Sequence, residues 1–159
     1  MSNENSPIFK NFFQTLNIIF IALLSGQTIY IFVGIFLIQS GNIYGFGGFN
    51  TIFMFITPVV VLSSILASKF IYAKQVAEFD KSLSLENKLV SYRTANIIKL
   101  ALLEGASIFY ILLMIITANY FFAALFIIII ALFFFNRPTK EKFIMDYEVS
   151  ADDALKLLV

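Results

Sequence analysis

Neither cysteine nor histidine occurs anywhere in the 159 residues. Without thiols the chain has no disulfide framework, no iron–sulfur ligation and no thiolate metal site, and nothing about its redox compartment follows. Without imidazole it lacks the commonest general base, the commonest metal ligand and the haem ligand. Serine–histidine catalysis and histidine-bound zinc are therefore excluded. Charge is scarce as well: 13% of residues are charged and 60% are hydrophobic, with a mean hydropathy of +0.89. That balance lies outside the soluble class and describes a membrane protein.

The 11 Lys and Arg residues fall in three places: Lys10, the segment from Lys69 to Lys99, and the tail from Arg137 onward. The other two connections, Gln39 to Asn50 and Thr117 to Asn119, carry no charge. By the positive-inside rule the N-terminus, central loop and C-terminus are expected in the cytoplasm. About 20 apolar residues cross about 30 Å of hydrocarbon, which predicts spans over 17–38, 51–71, 95–117 and 119–135. An even number of crossings returns the chain to its starting side, as the charges require. The expected architecture is an all-α membrane protein: an antiparallel four-helix bundle over 17–135, an N-terminal arm over 1–16 and a cytoplasmic tail over 136–159. The first span reads as a retained helix, because its apolar run is long for a signal sequence and no small-residue cleavage site follows.

Local chemistry refines this plan. The outer loop QSGNIYGFGGFN lacks the Gly-Lys-Ser/Thr ending of a phosphate loop. It reads as a turn with Tyr44, Phe46 and Phe49 as headgroup-level anchors. Pro58 predicts a kink in the second span. Ser63 with Ala67, and Ser64 with Ser68, form small-xxx-small pairs suited to close helix approach; Gly105 in the third span joins them as a packing residue. Ser84 is a candidate N-cap for a helix running from LENKLVSYR into the third span, with Arg93 and Lys99 snorkelling at the interface and Arg137 a further interface anchor on the same side. The fourth span is nearly featureless and is expected to face lipid. After it, NRPTKEKF stops the membrane with Pro138 in a helix-starting position, and Ser150 with Asp153 caps a last short helix, ADDALKLL.

One carboxylate, Glu104, stands inside the third span. A charge at that depth costs about 2.5 to 3.5 kcal/mol on insertion scales, so it should face the interior and find a partner or a proton. Arg93 lies eleven residues away, roughly 16 Å along the axis, and is out of reach. Gln27 on the first span sits at a matching depth and could bond it, with Ser107, Ser25 and Thr28 completing a polar cluster. Glu104, Gln27 and Ser107 are thus a candidate ion or proton site, or structural glue between helices. No catalytic residue, metal site, cofactor or nucleic-acid surface is indicated.

The stretch RTANIIKLALLEGASIFYILLMI resembles the second helix of rotor-ring subunit c of ion-translocating ATP synthases through Arg93, Ala101, Leu102 and Glu104. That resemblance implies a carboxylate carrying a proton or sodium ion. The preceding span of this chain has no glycine where subunit c carries Gly-x-Gly repeats. ENKLVSYRTANIIKLALLEG together with NRPTKEKF and the acidic tail resembles a family of small bacterial four-span membrane proteins without an established function, which implies the same topology. Taken together, the expected role is a non-enzymatic accessory or scaffold subunit of a bacterial cytoplasmic-membrane complex. Its partners would be the lipid bilayer and another membrane protein or further copies of itself. The alternative is a small proton- or cation-coupled translocator using Glu104.

Overall fold

A computed structural model describes residues 6–41, 43, 45 and 50–158. The described residues form helices and connections, in the order α1 (Ser6–Gln39), α2 (Asn50–Glu78), α3 (Leu85–Thr117), α4 (Phe121–Phe135), α5 (Lys140–Asp146) and α6 (Ala151–Leu158). The aromatic anchors expected at Tyr44, Phe46 and Phe49 lie outside the described residues.

Three helices, α1 to α3, are long and apolar enough to cross a bilayer. The fourth, α4, has 15 residues, about 22 Å at 1.5 Å per residue, and falls short of the hydrocarbon thickness. It meets the same test only together with α5, from which it is bent by 68°. The protein is therefore an all-α membrane protein with three or four candidate spans.

Helix ends follow from named residues. The Ser84 hydroxyl accepts from the Asn87 amide at 3.5 Å, as the cap reading predicts, and α3 runs unbroken from there to Thr117. It stops where Ala118 turns left-handed at φ 50° and donates to the Ile115 carbonyl. The Asn119 side chain then accepts from the Phe121 amide at 2.9 Å and starts α4. That three-residue reversal forces α3 and α4 into the antiparallel pair the short connection implies. Gly45 lies against the same turn, where a Cβ would overlap the Thr117 carbonyl. Pro58 sits inside α2, which continues through it, and the Thr57 hydroxyl donates to the Phe53 carbonyl beside the missing amide. Pro138 does not begin a helix. It precedes Thr139, whose hydroxyl accepts from the Lys142 amide and caps α5.

α3 is the hub: α2, α4 and α1 each pack on it. Half of its most apolar stretch is buried, against 22% for α1 and 17% for α2. The outer faces of α1 and α2 remain apolar and open, Phe32, Phe36, Phe55 and Phe70 among them, which suits hydrocarbon and not water. The core has three sections. Ile31, Val61, Tyr110, Met114, Phe122 and Ile129 fill the uncharged end. Phe20, Leu100, Leu103 and Phe133 fill the middle. Leu16, Tyr72, Leu89, Tyr92, Phe143 and Tyr147 fill the basic end.

Two expectations change here. The fourth helix is not simply lipid-facing, because Phe122, Phe126, Ile129 and Phe133 form a buried stripe along it, and Phe133 stacks on Phe20 at 5.0 Å between ring centroids. A helix apolar on every side hides from its sequence which face is packed. Gly105 is exposed, with open space where its Cβ would be, so it packs against none of the described residues. The close approach lies at Gly34 instead, where a Cβ would stand 2.7 Å from Met114 Cε and 3.1 Å from Ile115 Cγ1.

Candidate functional site

At 3.6 residues per turn, Leu89, Tyr92, Asn96, Leu100, Leu103, Ser107, Tyr110 and Met114 recur on one side of α3, and all are buried. Its polar members are the site's raw material. Ser107 is fully buried, and its hydroxyl donates to the Glu104 backbone carbonyl at 2.8 Å. Asn96 donates to the Tyr92 carbonyl at 2.8 Å, while its own Oδ1 has no partner among the described residues. Ser68 of α2 donates to the Lys99 carbonyl at 3.2 Å, which ties α2 to α3. Of the small-residue pairs, Ser64 and Ala67 are half-buried, Ser68 is buried and Ser63 is exposed. Ser64 bonds back to the Val60 carbonyl of its own helix.

Lys99 does not snorkel. It is 2% exposed, its Nζ has no hydrogen-bond acceptor among the described residues, and it lies 4.5 Å from the centroid of the Tyr72 ring. Lys142 of α5 stands 5.1 Å from the same ring. The Tyr72 hydroxyl donates to Asp146 at 2.5 Å, and Asp146 pairs with Lys142 at 3.2 Å. The Tyr72 ring face offers Lys99 a cation–π contact, and the tail closes over the end that the ammonium would otherwise reach.

The tail is thus part of the fold. Tyr92 donates its hydroxyl to the Thr139 carbonyl at 2.9 Å and accepts from the Thr139 amide at 3.1 Å. The hydroxyls of Tyr147 and Ser91 lie 3.0 Å apart. Lys88 donates to the Glu148 carbonyl at 3.3 Å, and Lys81 pairs with the Glu148 carboxylate, holding it below the usual carboxylate range. Ser150 and Asp153 cap α6 as expected, the Asp153 amide donating to Ser150 Oγ at 3.2 Å. Arg137 is exposed at the bundle end and donates to Asn17 at 2.9 Å; Arg93 is exposed on α3.

The intramembrane residues separate. Gln27 is fully buried, and neither its amide nitrogen nor its oxygen is hydrogen bonded to a described residue. Glu104 is half-buried, and its carboxylate has no hydrogen bond or ion pair with a described residue. The expected Gln27–Glu104 bond is not formed. The reason is angular: Glu104 is about 60° around the helix from Ser107 and lies at the rim of the buried stripe. Ser25 and Thr28 are exposed on α1, and Thr28 bonds back to the Leu24 carbonyl. Beside Glu104 the outward face of α3 presents Ala101, Gly105, Ile108 and Leu112, all exposed. This face went unread in the sequence, although the spacing of Ala101 and Gly105 is the small-xxx-small signal that could have found it.

Gln27 yields a signed prediction. A buried polar group left unsatisfied costs about 1 to 3 kcal/mol, and an apolar side chain of similar size removes that cost. Gln27→Leu should raise the thermal unfolding temperature in detergent; a fall would mean that the amide bonds something in the native membrane.

No protein-family profile, curated protein or solved structure matches the chain.

Proposed function

We propose that this chain is a non-enzymatic accessory or scaffold subunit of a cytoplasmic-membrane complex, and that the outward face of α3 receives a transmembrane helix of its partner. The observation that carries this reading is Glu104: a carboxylate in an apolar span, without a partner among the described residues, beside the exposed small residues Ala101 and Gly105. Hydrocarbon supplies no hydrogen bonds, so an acid at that depth needs a donor or acceptor from protein. Small residues let a second backbone come close enough to provide one.

The basic end of the bundle faces the cytoplasm in this reading, with both termini inside and four crossings. The support is that all three basic segments converge there, as the joint packing of Phe13, Tyr72, Leu89 and Phe143 indicates. A cysteine at Asn119 should react with an impermeant thiol reagent from outside the cell, and cysteines at Ser82 and Ser150 should not. The reverse labelling pattern would overturn the orientation.

Gentle purification of the full chain from native membrane tests the role itself. One stoichiometric protein should accompany it. A pure homo-oligomer, or the chain alone, contradicts the accessory reading.

A further inference from the structure

A cleft of about 280 Å³ opens where α1, the end of α4 and the start of α5 meet. Asn17, Arg137, Thr139, Lys140 and Glu141 line it as polar groups, and Phe13 and Pro138 as apolar ones. The arrangement is local chemistry made rigid. Arg137 uses one guanidinium nitrogen on Asn17 at 2.9 Å, which fixes its direction and leaves most of its five N–H donors free. Lys140 is anchored by the Leu157 carbonyl at 2.6 Å and by the Phe13 ring at 5.9 Å, and its ammonium keeps further donors. Glu141 is engaged with the Thr139 hydroxyl and its own backbone amide at the start of α5. Two cations therefore face the cleft against one already occupied carboxylate.

What surrounds the cleft identifies the ligand class. Ile18, Phe134 and Phe135, next to it in the chain on the membrane side, are exposed, Phe135 at 87%. A positively charged recess adjoining open apolar surface, at the level where α4 ends, has the amphipathic pattern of a lipid and not of a soluble anion. We propose that this cleft binds the phosphate headgroup of an anionic phospholipid, with Arg137 and Lys140 on the phosphate and the acyl chains along Ile18, Phe134 and Phe135.

The full chain in detergent, titrated with phosphatidylglycerol, phosphatidylcholine or inorganic phosphate and followed by thermal unfolding, tests this. Phosphatidylglycerol should raise the unfolding temperature where phosphatidylcholine and inorganic phosphate do not. Arg137→Gln combined with Lys140→Gln should weaken that response about thirty-fold, at about 1 kcal/mol for each basic residue. The charge-keeping pair Arg137→Lys and Lys140→Arg should retain it, as should Arg93→Gln. If the neutral pair does not fold, the wild-type preference for phosphatidylglycerol should still vanish toward about 1 M salt, where screening is strong. Equal stabilisation by phosphatidylcholine, an equal effect of inorganic phosphate alone, or an undiminished response of the neutral pair would each overturn the proposal.

Discussion

Phe143→Ala should detach the tail. Phe143 is fully buried and meets Phe13, Tyr92 and Tyr147 at centroid distances of 5.9, 5.1 and 5.6 Å. Removing a ring from such a site costs about 3 to 5 kcal/mol, as transfer plus cavity. The loss is concentrated on α5, a helix of seven residues with little stability of its own. Limited trypsin digestion should therefore cleave rapidly after Lys140 and Lys142 in the variant and slowly in the native protein. Met145→Ala provides the control, because Met145 lies on the same helix at 77% exposure and should cost no more than about 0.5 kcal/mol. Equal protection of the Phe143 variant would mean that the tail is held by its polar bonds alone.

The second large effect belongs to Glu104, and it separates hydrogen bonding from charge. Glu104→Gln keeps donors and acceptors at nearly the same size, so partner retention should be almost unchanged. Glu104→Leu strands a polar group of the partner in hydrocarbon. At about 1 to 3 kcal/mol for an orphaned group, retention should fall roughly 5- to 150-fold. The translocator reading expects a different outcome: proton- or sodium-dependent flux in vesicles from the native chain, abolished by Glu104→Gln. Such flux would contradict the accessory role.

The parts of this fold that follow from local rules were legible in the sequence. Ser84 and Ser150 announced their helices because a cap is decided within one turn of chain, and composition alone placed the long apolar helices. What depended on neighbours was not legible. Lys99 was read as a snorkelling anchor because its helix places it near an interface, but Tyr72 and a folded-back tail decide where its ammonium lies. Phe122, Phe126, Ile129 and Phe133 are invisible as a stripe when every surrounding residue is also apolar. Gln27 and Glu104 were paired by depth, yet depth says nothing about rotation about the helix axis. The same angular step that takes Glu104 away from Gln27 puts it beside Ala101 and Gly105.

Photo-cross-linking side chains placed at Ile108 and Leu112 in the native membrane test the docking face directly, with Ile128 on α4 as the reference position. The account predicts a single adduct with one other protein at both α3 positions, none at Ile128, and a marked loss of the adduct when Glu104→Leu is added. Adducts with lipid alone at all three positions, or the same protein adduct at Ile128 as on α3, would contradict it.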